Sequence, residues 1–261
     1  MKKQNPLLIA AASLALASSS HATITLFAEY HLGEAGSLGA NNTPLDSSGN
    51  GLNISNEING ANASVINGGT VAAGSTDYLS TGGAGDEGWY AGGYGGLATD
   101  NFAFGVFARA ASLGATQGDI FILGGGNNAF KLSLDNNGWA ASSHNVAWIG
   151  EAGGVTGSFA PDTWVHLALI RSGGTATFYI NGVAQSGTHG GAPMHDTVHL
   201  SVNSGGGAYF DGGMDEARVV TFDPGEPTAN VLSALQVPEP ATALSLLGGL
   251  GLLLGLRRRK A

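Results

Sequence analysis

Apolar residues in this chain recur at every second position, and no stretch before Thr228 carries a 3.6-residue apolar period. Side chains that alternate along a backbone line one face of a strand, so the pattern dictates sheets and leaves no helix to build a core from. Phe102, Phe104 and Val106 face one way and Ala103, Gly105 and Phe107 the other, which fits a strand covered on both sides. Phe130, Leu132 and Leu134 alternate with Lys131, Ser133 and Asp135, the pattern of a half-buried strand. Trp164, His166, Ala168 and Ile170 alternate with Val165, Leu167, Leu169 and Arg171. Ser172-Gly173-Gly174 then reverses the chain, 177–180 returns, and Asn181-Gly182 suits the positive φ of a tight hairpin. Further strands are expected at 26–32, around Leu52, at Val65-Ile66, at 120–123, at 198–202 and within 210–221. The glycine-rich stretch 82–96 reads as a long surface loop. Many short strands with frequent turns mean an all-β sandwich or jelly roll.

Both ends are of another kind. Val237-Pro238-Glu239-Pro240 is followed by an uncharged apolar run at 241–256 and then by Arg257, Arg258, Arg259 and Lys260. As a helix the run spans about 24 Å, short of a hydrocarbon core of about 30 Å, although snorkelling arginines and local thinning would seat it. The basic cluster belongs on the cytoplasmic side, which leaves everything before it outside. In this order the three parts resemble the PEP-CTERM sorting signal of Gram-negative bacteria. The resemblance implies a temporary inner-membrane anchor, cut near Pro-Glu-Pro by the membrane protease exosortase. A permanent single-pass anchor is the other reading. At the N-terminus, Lys2 and Lys3, an apolar stretch at 7–17 and Ser20-His21-Ala22 read as a secretory signal peptide, with the mature chain beginning near Thr23; an uncleaved anchor is the other reading, against which the short apolar core speaks. The chain thus divides into a signal peptide (1–22), one domain (23–235) and a sorting tail (236–261).

Charge and cysteine content constrain what the exported body does. Of 10 Lys plus Arg, six lie in the two end segments, and 18 of 19 acidic residues remain in the body, for a formal charge of 4 − 18 = −14. Such a surface repels phosphate backbones and excludes a nucleic-acid partner. With 0 Cys there is no disulfide and no thiol chemistry, so core packing, with or without a metal, holds the fold. Gly and Pro make up 44 + 8 = 52 of 261 residues, below the level at which low-complexity disorder is the default.

Two segments, Thr163-Trp164-Val165-His166-Leu167 through Val183 and Tyr209-Phe210-Asp211-Gly212-Gly213-Met214-Asp215-Glu216-Ala217-Arg218-Val219, resemble laminin G-like domains. Leu45-Asp46-Ser47-Ser48-Gly49-Asn50-Gly51 resembles the early loop of the same family. These domains belong to the concanavalin A-like lectin and glucanase superfamily. The resemblance implies a jelly-roll sandwich of two antiparallel sheets, with Trp164, Leu167, Leu169, Phe178, Ile180 and Val219 buried. It further implies calcium at one edge, with Asp46, Asn50 and Asp215 as the matching positions; a hydrogen-bonded structural carboxylate is the other reading of Asp215. Alternation puts Asp215 on the face of Ala217 and Val219, and pairs Glu216 with Arg218 on the opposite face.

The superfamily includes glucanases, whose strand motif Glu-x-Asp-x-x-Glu sets carboxylates on one face for glycoside hydrolysis. That triplet does not occur here. His195 and His199 lie about 13 Å apart on an extended chain, too far to share one zinc ion. Residues 83–88 fit a dinucleotide fingerprint by letters, but no helix follows, and Asp86 and Glu87 would repel a pyrophosphate. Exposed aromatics stack on sugar rings, and Trp89, Tyr90 and Trp148 are the candidates, with ordinary packing as their other reading. The expectation is a non-catalytic exported module that binds polysaccharide or a surface protein. The alternatives are a structural component of the exopolysaccharide or envelope matrix and a divergent glycosidase.

Overall fold

Alternation becomes strands at nearly every position where it is clean. The computed structural model describes residues 23–236 except 71, 73, 83–85, 94–96, 98, 113–117, 125–128, 136–137, 144–147, 151–158, 188–196 and 204, and gives the backbone alone at 143 and 148–150. The signal peptide, the tail from Val237 onward, His195 and the Trp148 side chain lie outside the described residues. One sheet holds β1 (Ile24–Tyr30), β3 (Ser64–Asn67), β4 (Asp77–Thr81), β6 (Phe102–Ala110), β11 (Val165–Ser172), β12 (Thr175–Ile180), β13 (Val183–Ala184) and β15 (Gly212–Phe222). The other holds β2 (Asn56–Ile58), β5 (Gly88–Gly92), β7 (Gly118–Leu123), β8 (Phe130–Asp135), β9 (Gly138–Ser143), β10 (Trp148–Gly150) and β14 (Thr197–Leu200). Among the described residues the orders are β13-β12-β11-β6-β15-β4-β3, with β1 also on β15, and β10-β9-β8-β7-β14-β5-β2. Their ladders are antiparallel, for example Leu167↔Val106, Val219↔Phe104 and Leu200↔Trp89. This is a two-layer jelly-roll sandwich.

The two inner faces meet through aromatic rings. Phe104 and Phe121 sit edge-on with centroids 5.2 Å apart, and Phe102 and Phe130 likewise at 5.6 Å. Leu167, Leu169, Phe178, Ile180 and Val219 lie in this core, each of the kind whose burial contributes about 1.5–3 kcal/mol. The Asn181-Gly182 turn has φ of 49° and 78°, as a tight hairpin requires.

The outer face of the first sheet is also partly covered. After Phe222 the chain forms α1 (Thr228–Gln236), whose Val231 and Leu235 pack on Ala103, Ala168, Ile170, Val220 and Phe222. That cover explains why β6 and β11 are apolar on both faces.

The structure corrects three sequence readings. Residues 82–96 are not one long loop, because β5 lies within them and pairs with β2 and β14. Its glycines serve close packing: a Cβ on Gly88 would lie 2.4 Å from the Val202 Cβ. Leu52 is in no strand; its carbonyl instead accepts a hydrogen bond from the Tyr30 hydroxyl at 2.8 Å. Trp164, expected in the core, is only half-buried, since it precedes β11 on the outer face, where its indole N–H donates to the Gly69 carbonyl.

Candidate functional site

The bulge in β15 decides where the chain's acidic residues go. Pairing with β6 shifts register between Asp215 and Arg218, and Glu216 takes a left-handed φ of 47°. Met214 before the bulge and Ala217 and Val219 after it all belong to the core, so Asp215 is not on the face of Ala217 and Val219 as strict alternation implied. It lies off that face and is nonetheless fully buried.

Around the bulge β1 and β15 assemble a buried charge network. His31 Nδ1 lies 2.7 Å from Glu216 Oε1, and its Nε2 lies 3.5 Å from Glu29 Oε2. Arg218 Nη2 reaches Glu29 Oε1 at 2.5 Å and Glu216 Oε2 at 3.2 Å. Burial alone would lower the His31 pKa, but hydrogen bonds to Glu216 and Glu29 and their charges outweigh it and hold it up at about 10. For Glu29, burial opposes ionisation, yet His31 and Arg218 win and its pKa falls below the usual carboxylate value.

Beside this network, carboxylate oxygens of Glu34, Asp215 and Glu216 lie within 4.8 Å of one another. One Glu34 oxygen accepts from the Ser75 hydroxyl and from the N–H of Thr76 and Asp77 at 3.1 and 3.2 Å. Asp215 Oδ2 accepts from the Thr70 hydroxyl. Among the described residues the other oxygens, Glu34 Oε2 and Asp215 Oδ1, are enclosed and have no hydrogen-bond partner. Burial raises the Asp215 pKa to about 7, resisted by the hydrogen bond from Thr70 and the nearby Ser75 hydroxyl and aided by the charges of Glu34 and Glu216. Glu29, Glu34, Asp215 and Glu216 set four carboxylates against the two cations His31 and Arg218. A buried imbalance of that kind calls for protons or for a hard cation, and the orphaned oxygens are the donor type such a cation takes.

The other two expected calcium positions are engaged elsewhere. Asp46 accepts from the N–H groups of Glu29, Ser48 and Leu52 and from the Ser48 hydroxyl, at 2.9–3.0 Å. Asn50 donates to the Leu26 and Phe27 carbonyls at 3.2 and 3.0 Å. Both fasten the 46–52 loop to β1. Asp46 joins neither group of converging ligand atoms.

The aromatic candidates separate cleanly. Trp89 has 0 % exposure, is packed in the core and donates to the Asn41 carbonyl at 3.3 Å, so it presents no face to a ligand. Its neighbour Tyr90 points the opposite way and is 38 % exposed. Tyr90 stacks on His199 with centroids 6.0 Å apart and planes 16° from parallel. Together with Ile58, Asn203 and Gly206 these two line an open cleft of about 230 Å³. Asn203 Oδ1 holds the turn through the N–H groups of Gly205 and Gly207 at 2.8 and 3.0 Å, which fixes the side chain at the cleft edge.

A family model described as the concanavalin A-like lectin/glucanases superfamily matches residues 73–222, more than half of the chain. The chain belongs to that superfamily. A second model, the PEP-CTERM protein-sorting motif, matches 236–260 and covers the tail recognised from Val237, Pro238, Glu239, Pro240 and the arginine cluster. No curated protein matches the sequence. Among solved structures, the fold is similar to domain 4 of AbnA, a GH43 extracellular arabinanase from Geobacillus stearothermophilus. The TM-score is 0.54 at 19 % identity, covering 83 % of this chain and 100 % of that one. Trypanosoma rangeli sialidase gives 0.55 at 15 % identity, covering 81 % of this chain and 32 % of that one. The receptor binding domain of a botulinum neurotoxin mosaic serotype C/D gives 0.50 at 12 %, covering 81 % and 50 %. At these identities the likeness shows the fold alone.

This member of the superfamily carries an export and membrane-associated sorting signal, and that motif implies processing by an exosortase-type system. Sequence reasoning missed His31, Glu29 and Glu34. An alternating strand end followed by glycines gave no sign that the bulge in β15 would draw these residues together.

Proposed function

We propose that this chain is an exported, non-catalytic, lectin-like module that binds carbohydrate through the Tyr90 cleft and is delivered to the cell surface or extracellular matrix through its exosortase-processed tail. The observation that carries the reading is Tyr90 itself. A tyrosine held half-exposed against His199, at the edge of an open cleft, offers the flat apolar face on which the C–H side of a sugar ring stacks. Glycoside hydrolysis needs two carboxyl groups flanking the scissile bond. The residues lining this cleft include none, and the convergent carboxylates among the described residues are buried around Asp215 and His31. In the same reading, Glu34, Asp215 and Glu216 hold a calcium ion that neutralises the buried charge and ties Thr70 and Ser75 to β15. The cation is structural and takes no part in sugar recognition.

Titrating the body (residues 23–236) with a panel of neutral oligosaccharides tests this directly. Saturable binding that falls tenfold or more in Tyr90→Ala, about 1.4 kcal/mol, is the expected outcome. Flat binding across the panel overturns the lectin reading, and release of reducing sugar overturns the non-catalytic one.

A further inference from the structure

The outer face of the first sheet holds a second cluster, remote from Tyr90 in the other sheet. Tyr78 of β4, Gly213 of β15, Arg109 of β6 and Trp164, next to the start of β11, follow one another across adjacent strands. The Arg109 guanidinium carbon lies 5.2 Å from the Tyr78 ring centroid and 5.6 Å from that of Trp164. The two rings meet edge-on at 5.1 Å. Arg109 Nη2 donates to the Tyr78 hydroxyl at 2.9 Å. Position 213 is a glycine because the rings lie over it: a Cβ there would come within 3.0 Å of both Trp164 and Tyr78.

The body has four Lys and Arg residues, and the other three close on carboxylates. Lys131 pairs with Asp119 at 3.1 Å, Arg171 with Asp100 at 2.8 Å and Arg218 with Glu29 at 2.5 Å. Among the described residues Arg109 does not, although the body carries 18 acidic residues. Among the described residues its hydrogen-bond partner is the Tyr78 hydroxyl, and none of its remaining N–H donors is enclosed. Arg109 and Trp164 are both half-exposed. A guanidinium already fixed between two rings, with a free fork of donors, loses little freedom when it binds a carboxylate bidentately. The adjoining Trp164 ring supplies an apolar surface for the rest of the ligand.

We infer that Arg109, Tyr78 and Trp164 form a binding site for a carboxylate-bearing sugar, a uronate residue within an acidic polysaccharide. The guanidinium takes the carboxylate and the indole takes the sugar ring. The net charge of −14 opposes polyanions at long range, but at 0.15 M salt the screening length is about 8 Å and contact chemistry decides. This deepens the carbohydrate-binding reading and rests on it, while assigning a different surface.

The test titrates the body with an unsulfated trimeric oligouronate and with its methyl ester, in the wild type, Arg109→Gln and Tyr90→Ala. The expected result is at least tenfold tighter binding of the acid than of the ester, lost in Arg109→Gln and retained in Tyr90→Ala. Equal binding of acid and ester, abolished in Tyr90→Ala, overturns this site and leaves the lectin reading standing. Binding of neither, with no neutral sugar bound either, overturns both. Should Arg109→Gln fail to fold, the Trp164 indole N–H resonance of the wild type is followed during the titration. A shift with the acid and not with the ester supports the site, and no shift with either overturns it.

Discussion

At the residue scale, burial decides which ionisable groups matter. His166 faces outward from β11 beneath α1, within 3.1 Å of Gln236 and packed on Phe107 at 4.8 Å. Burial, followed by the charge of Arg218, lowers its pKa from 6.5 to about 4. In the unfolded chain the imidazole binds its proton near 6.5, so between these values the unfolded state holds more protons and stability falls as pH drops. At about 1.4 kcal/mol per pH unit the window carries on the order of 3 kcal/mol. Asp215, with its pKa raised to about 7, acts in the opposite sense over the same window, so the difference between wild type and His166→Gln isolates the histidine. In denaturant titrations at pH 7, 5.5 and 4.5 the wild type should lose stability relative to His166→Gln as pH drops; parallel curves for both proteins would refute the assignment. Asp215 gives a second prediction. A ligand that binds only the native state adds RT ln(1 + [L]/Kd), about 2.7 kcal/mol at a hundredfold excess over Kd. Calcium should therefore raise the Tm of the wild type and leave that of Asp215→Asn unmoved, and no response in either protein would rule the site out. Sequence reading chose Asp215 but grouped it with Asp46 and Asn50. Its true neighbours, Glu34 and Glu216, depend on a bulge that period-2 alternation does not encode.

At the element scale, legibility followed side-chain size. β6, β8, β11 and β12 announce themselves because large apolar groups alternate along them. β5, Gly-Trp-Tyr-Ala-Gly, was hidden because glycine in sequence signals freedom, whereas here it signals contact. Gly88 sits against Val202, and a Cβ at Gly60 would lie 2.5 Å from the Trp89 indole nitrogen. Both sites need the missing methyl group, since a packed core does not open to admit one without distortion. Gly88→Ala should accordingly cost about 1–3 kcal/mol through overpacking. For a domain of this size each kcal/mol lowers the Tm by about 2–4 °C, and Gly92→Ala in the same strand, where a Cβ would meet nothing within 4 Å, should cost much less. A Tm equal to the wild type for Gly88→Ala alone would show that β5 yields where a packed strand should not.

At the scale of the whole molecule, the fold closes just where the sorting tail begins. α1 packs Val231 and Leu235 onto the sheet, and its last residue, Gln236, meets His166. Val237 is the next residue and opens the Val-Pro-Glu-Pro motif. Each proline lacks an N–H and disfavours helix at the residue before it, so the sequence predicts an end to α1 ahead of the motif. The expectation is therefore that the helix belongs to the domain and the motif to the tail. Removing 237–261 should leave the body folded with an unchanged Tm. Removing 228–261 should lower it, because Ala103, Ala168, Ile170, Val220 and Phe222 would lose their cover and return apolar area to water at about 25 cal/mol per Å². In the native host the shorter deletion should release a soluble, unsorted protein. Neutralising Arg257, Arg258 and Arg259 should impair retention and processing together, since cations at that end would hold the apolar run at the cytoplasmic face. Mass spectrometry of the mature protein decides between sorting and anchoring. A C-terminus near Pro238 to Pro240 is the expected outcome, and an intact chain ending at Ala261 would make the tail a permanent anchor.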